Sequence, residues 1–144
     1  MASRIFGTFL LKGFDNSTKI DLTTDTIKVA LADSTYTPDL DAHDFFDDVT
    51  NEEGGTGYTA GGATLGTKTW AVVGASDFVK FDAADTSWTT STITTRYAIV
   101  YKSTGTAGTS PLICLVDFAT DRTSDGGTFL ISWHTNGIFT LSYA

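Results

Sequence analysis

The chain has 144 residues, 41% of them hydrophobic and 18% charged, which suits one folded domain and is neither a disordered nor a membrane composition. Nine Lys and Arg stand against 17 Asp and Glu, for a formal charge of −8 and a pI near 4.4. With no basic cluster to neutralise phosphates, this balance argues against direct nucleic-acid binding and against adhesion to anionic membranes. The 27 threonines, 14 glycines and only two prolines point to strands separated by glycine corners, and so to an all-β fold.

The opening MASRIFGTFLLKGF carries a short apolar stretch broken by Gly7 and Lys12. It lacks the apolar core and small-residue cleavage site of a secretory signal, so a protein made and used in solution is expected. Ile5, Phe6, Phe9 and Leu10 in this run are candidate contacts to a neighbouring subunit. Two readings stand for residues 1–12: an arm that docks on a neighbour, or an ordinary first strand of a single domain spanning 1–144. Strand-like runs lie at 4–12, 18–21, 26–33, 56–60, 64–73, 77–83, 88–102, 111–119, 127–134 and 137–143, spaced as in a β-sandwich or jelly roll. Alternation is clearest in Ile27-Lys28-Val29-Ala30-Leu31 and Phe78-Val79-Lys80-Phe81. The nearly continuous apolar stretches 97–101 and 111–118 predict central strands covered on both faces. Asn136-Gly137 predicts a hairpin between the last two runs.

One segment breaks the β pattern. Thr37 as a cap, Pro38 at the first helical position and an apolar stripe of Ala42, Phe45, Phe46 and Val49 predict one short helix near 38–49. From Asp33 to Glu53 the chain holds eight acidic residues and no Lys or Arg. An EF-hand does not fit there, since His43 and Asp44 fill the middle ligand places and Thr50 stands where the closing Glu belongs. A calcium site of another kind, a patch answering a basic partner and a solvated acidic face all remain readings of this region.

Little points to catalysis. His43 and His134 are the only histidines, and no G-x-S-x-G or H-E-x-x-H pattern accompanies them. Cys114 is the sole cysteine, set in an apolar run, so it reads as a buried small hydrophobe. Gly55-x-Gly57-x-x-Ala60 matches a relaxed dinucleotide fingerprint without the strand and helix that would make it work. Trp70, Trp88 and Trp133 with Tyr58, Tyr97 and Tyr101 are either core and interface packing or a sugar-stacking platform. No enzyme, cofactor or metal is expected.

Ile27-Lys28-Val29-Ala30-Leu31 leads to Tyr36-Thr37-Pro38, then to Asp41-Ala42-His43-Asp44-Phe45-Phe46-Asp47-Asp48-Val49. Gly57-Tyr58-Thr59-Ala60-Gly61-Gly62-Ala63-Thr64-Leu65 follows, and later Ile99-Val100-Tyr101 with Ser110-Pro111-Leu112-Ile113. In this order and spacing, from about residue 20 to the end, the chain resembles a group of short virion structural proteins of tailed bacteriophages. The resemblance implies a β-sandwich or jelly-roll subunit that decorates, or cements, the outside of the head shell. Its implied partners are the major capsid protein and further copies of itself, as a homotrimer, with no nucleic acid and no membrane. It would be made in the host cytoplasm and reside on the capsid surface. A low-copy tail or neck subunit and a carbohydrate-binding adhesion module on the virion are the alternatives.

Overall fold

The computed structural model describes residues 2–15 and 17–143. It consists of two antiparallel sheets packed as a sandwich, so the all-β expectation is met. The first sheet has the strand order β1 (Ala2–Ile5), β7 (Leu112–Ile131), β6 (Thr86–Lys102), β2 (Ile27–Ala32), β3 (Ala63–Thr64). The second holds β4 (Thr69–Val73), β5 (Phe78–Asp82) and β8 (Phe139–Ser142).

Burial explains which runs became which strands. In β2, Ile27, Val29 and Leu31 face the second sheet, while Ala30 and Ala32 are buried on the opposite side. β6 and β7 behave alike near their connection, with Ala98, Val100, Cys114 and Val116 on the inner face and Ile99, Tyr101, Leu112 and Leu115 on the outer. The two apolar stretches are thus central strands covered on both faces, as their continuous hydrophobicity predicts. The inner face meets Phe81 and Phe139, whose rings lie 5.5 Å apart. The outer face is roofed by Phe6, Tyr36, Leu40, Phe46 and Val49. Full burial of each large side chain contributes roughly 1.5–3 kcal/mol, so these two layers carry most of the stability.

Several boundaries differ from expectation. The run 4–12 splits: Ala2–Ile5 pairs with β7, and Gly7–Phe14 turns into α1, the single α-helix among the described residues. The short helix expected near 38–49 is not formed; that segment holds one turn and a 3-10 turn at Phe46–Asp48. Its backbone groups are taken elsewhere, Phe46 N donating to Ser110 O at 2.8 Å and Leu112 N to Asp44 O at 2.9 Å. The Asp39 carboxylate accepts from the amides of Asp41 and Ala42, fixing a local turn that competes with helix. Runs 18–21 and 56–60 are turns and loops.

Runs 111–119 and 127–134 merge into the 20-residue β7, which is paired with β6 through several register shifts. The Asn136-Gly137 turn does form, with Gly137 at φ +82° and its amide donating to His134 O at 2.7 Å. It joins no hairpin, however, because β7 pairs with β6 while β8 pairs with β5. The turn is a corner by which the chain passes from one sheet to the other.

Candidate functional site

Because α1 begins right after β1, the four N-terminal contact candidates lie on different sides of one corner. Phe6 is wholly buried in the outer layer with Tyr36 and Tyr101. Ile5 and Phe9 are half-buried against the sandwich core, Phe9 edge-on to Phe139 at 6.1 Å. Leu10, beside Phe9, opens onto a surface cleft. The segment is anchored to the domain by Gly7 N to Leu40 O at 2.8 Å, Thr8 Oγ1 to His43 O at 2.8 Å, and an ion pair between Lys12 and Asp44.

The cleft lies between α1, the 19–23 loop and the second sheet, and encloses about 710 Å³. Leu10, Phe14, Ile20, Trp70 and Leu141 give it an apolar lining, with Lys19 and Asp21 at its rim. The Asp21 carboxylate is held well below the usual range by hydrogen bonds from Thr23 and Thr24, so the rim stays charged. Strand register explains the apolar floor. Trp70 pairs with Phe81 and Phe81 with Phe139, while Val72 pairs with Val79 and Val79 with Leu141. All six side chains therefore share one face. Phe81 and Phe139 are covered by the core, but Val72 is 62% exposed and Phe14, across the cleft, 87%. In sequence, Trp70 and Val72 are the bulky positions two apart in run 64–73, but apolar Ala71 and Val73 blur the alternation, and the edge position of the strand follows only from the sheet order.

The acidic segment wraps the outer face of the first sheet. Asp33 N donates to Asn51 O at 3.1 Å, and Glu52 forms a bridge with Ala32. His43 sits in this segment with Nδ1 2.9 Å from Tyr36 Oη, its ring stacked on the tyrosine at 5.8 Å. Burial, with Asp48 and Asp39 nearby, pushes the Tyr36 phenol up to about 12. His134 accepts the Asn136 amide at 3.1 Å within the corner turn. Neither imidazole meets a Ser, Cys or carboxylate side chain among the described residues, and no three His, Cys, Asp or Glu side chains among them converge as a metal centre requires. Cys114 is buried in the core, where desolvation raises its thiol to about 12.

The six aromatic candidates do not share one platform. Trp88 is buried against Phe129, with Tyr58 5.9 Å away. Tyr101 is buried under Phe46, their rings stacked at 4.1 Å. Trp133 turns its Nε1 to Ala84 O at 3.2 Å, Tyr97 packs on Tyr36, and only Trp70 lines the cleft. Residues 54–62, which include the glycine pattern of the dinucleotide fingerprint, form a loop along β2 and β6. There Glu53 Oε2 accepts Thr94 N at 2.9 Å, and Tyr101 Oη donates to Gly61 O at 2.7 Å. No helix among the described residues is long and apolar enough to cross a membrane. No protein-family model, curated protein or solved structure matches this chain.

Proposed function

We propose that this chain is a structural subunit of a tailed-bacteriophage virion that decorates the outside of the head shell and stabilises it. One observation carries the reading: the residues behind the phage resemblance occupy framework positions. Tyr36 and Phe46 roof the outer face of the first sheet, Phe46 on Tyr101. The 41–49 segment is stitched to residues 110–112 by backbone bonds, and the Gly57–Leu65 stretch to β2 through Leu65 N and Ile27 O at 2.9 Å. Residues that lock an architecture, rather than line a reactive pocket, suit a shell subunit that must resist mechanical stress. Its mechanism is mechanical: many modest contacts bridge neighbouring coat subunits and resist outward pressure from packaged DNA. The partners are the major capsid protein and other copies of this chain.

The test is the copy number of the protein per purified virion, by quantitative mass spectrometry against the major coat protein. A simple ratio to the coat protein supports shell decoration. A copy number far below that of the coat assigns it to the tail or neck and overturns the proposal. Salt dependence of binding to empty shells then reports whether the acidic 33–53 segment meets a basic coat surface.

A further inference from the structure

We infer that β4 is a self-association edge, at which two copies of this chain pair antiparallel about a two-fold axis that passes between their Ala71 residues. β4 is the outer strand of the second sheet, and β5 pairs with only one of its edges. Beyond that ladder and the turn bond from Ser76 N to Val73 O, no backbone hydrogen bond among the described residues reaches Thr69–Val73. The free edge therefore presents unpaired amides and carbonyls. It lacks the usual protections, because Thr69-Trp70-Ala71-Val72-Val73 contains no charge and no proline, and its ladder with β5 has no register shift. The strand is exposed from Thr69 to Val72.

Pleat and charge select both the occupant and the register. Side chains alternate faces, so a two-fold axis perpendicular to the sheet can pair only residues whose numbers sum to an even value. Centring on Trp70 would set Lys68 against Val72, a charge on an apolar side chain. Centring on Val72 would leave Trp70 facing Gly74. Centring on Ala71 places Trp70 beside Val72 of the second copy, twice by symmetry, on the face that continues the cleft floor. Lys68 then lies opposite Gly74 of the second copy, at the turn that carries Asp77. Lys68 and Asp77 form no ion pair within the chain among the described residues. In a molecule of net charge −8, this register is where two copies meet through uncharged strand flanked by opposite charges. The pairing joins two three-stranded sheets into one of six strands and extends the apolar floor beneath both clefts.

Sedimentation of the whole chain, with two single-cysteine substitutions, tests this directly. The expected result is a concentration-dependent dimer that Val72→Lys weakens at least about tenfold while circular dichroism shows the fold unchanged. Ala71→Cys should oxidise to a covalent dimer, because directly opposed strand residues lie about 4.5–5.5 Å apart at Cα, within disulfide reach. Thr69→Cys should not, since its two copies lie about four residues apart along the paired strands, roughly 13 Å. The buried Cys114 leaves the readout unambiguous. A wild-type monomer at every concentration, the trimer mass expected from sequence, a dimer unmoved by Val72→Lys, or cross-linking no faster at 71 than at 69 would each overturn the inference.

Discussion

Tyr58 Oη donates to Glu52 Oε1 at 2.6 Å while accepting the Leu31 amide at 3.0 Å, so one phenol ties the glycine-rich loop to the end of β2. β3 covers β2 only at Lys28 and Val29, and the Tyr58 hydroxyl takes over at the next outward amide. Glu52 Oε1 also accepts the Gly61 amide at 2.5 Å, which closes the loop on itself. Burial and the carboxylate together raise the Tyr58 phenol far above its ordinary value, so it stays a donor at any physiological pH.

Tyr58→Phe should therefore cost about 1–3 kcal/mol, because it leaves both a carboxylate oxygen and a strand amide short of a partner. Glu52→Gln should cost less, since its amide oxygen can still accept both bonds. Urea unfolding of the two variants checks this order. A negligible loss for Tyr58→Phe would mean that the ring, and not the hydroxyl, holds the loop.

Two glycines with similar backbone angles make a second comparison. Gly62 has φ +72°, and a Cβ there would sit 1.9 Å from the Val29 carbonyl oxygen. Gly126 has φ +66° and open space around the same position. Gly126→Ala should cost only the left-handed penalty, about 1–2 kcal/mol. Gly62→Ala must also push the loop off β2, and should exceed about 4 kcal/mol or fail to fold. Thermal melts of both proteins decide the matter. Matched melting temperatures would show that the loop yields freely.

The legible parts of the fold were those where one residue's environment is set by its immediate neighbours. β2 and β5 follow from alternation, and the doubly covered centres of β6 and β7 from continuous hydrophobicity. The 38–49 stripe failed because Phe46 and Val49 do turn inward, but onto the outer face of β6 and β7 rather than along a helix face, while the Phe45 ring lies under Lys12. Their backbone partners, Ser110 and the 111–112 strand end, lie more than sixty residues away. Asn136-Gly137 named its turn correctly, yet the choice of strand partner belongs to sheet assembly and leaves no local mark. The apolar run at 5–11 suits strand or helix equally in pattern. The helix follows once Phe6 has been drawn under Tyr36, so the cleft that α1 walls could not be read from sequence.

Cys114 offers a probe of global opening. Its thiol is wholly buried between the sheets, with its acidity suppressed by desolvation to about 12. In native buffer near pH 8 it should resist a thiol-reactive chromophore, then react fully in denaturant. Because Cys114 pairs with Ile5 of β1 and Val100 of β6, its labelling rate should follow unfolding of the whole first sheet. Fast native labelling would show instead that β1 peels away separately, which is how a docking arm would behave.

Acid should act on the same sheet through Asp117, which lies in β7 between β1 and β6. Arg96 Nε donates to its Oδ1 at 2.6 Å, the Ala119 amide to the same oxygen at 2.8 Å, and Arg4 lies 3.6 Å from Oδ2. The Arg96 hydrogen bond is the largest cause of the lowered Asp117 pKa, and burial opposes it. A carboxylate lowered in the folded state contributes its stability above its unfolded value, about 3.9, and loses it as pH falls through the folded value. Asp117→Asn should therefore melt below the wild type at neutral pH, with the gap closing as pH drops below about 4. Melting curves from pH 7 to pH 2 test this. A gap that stays constant through the acid range would assign the loss to geometry at the Ala119 bulge, where φ is +67°, and not to the charge.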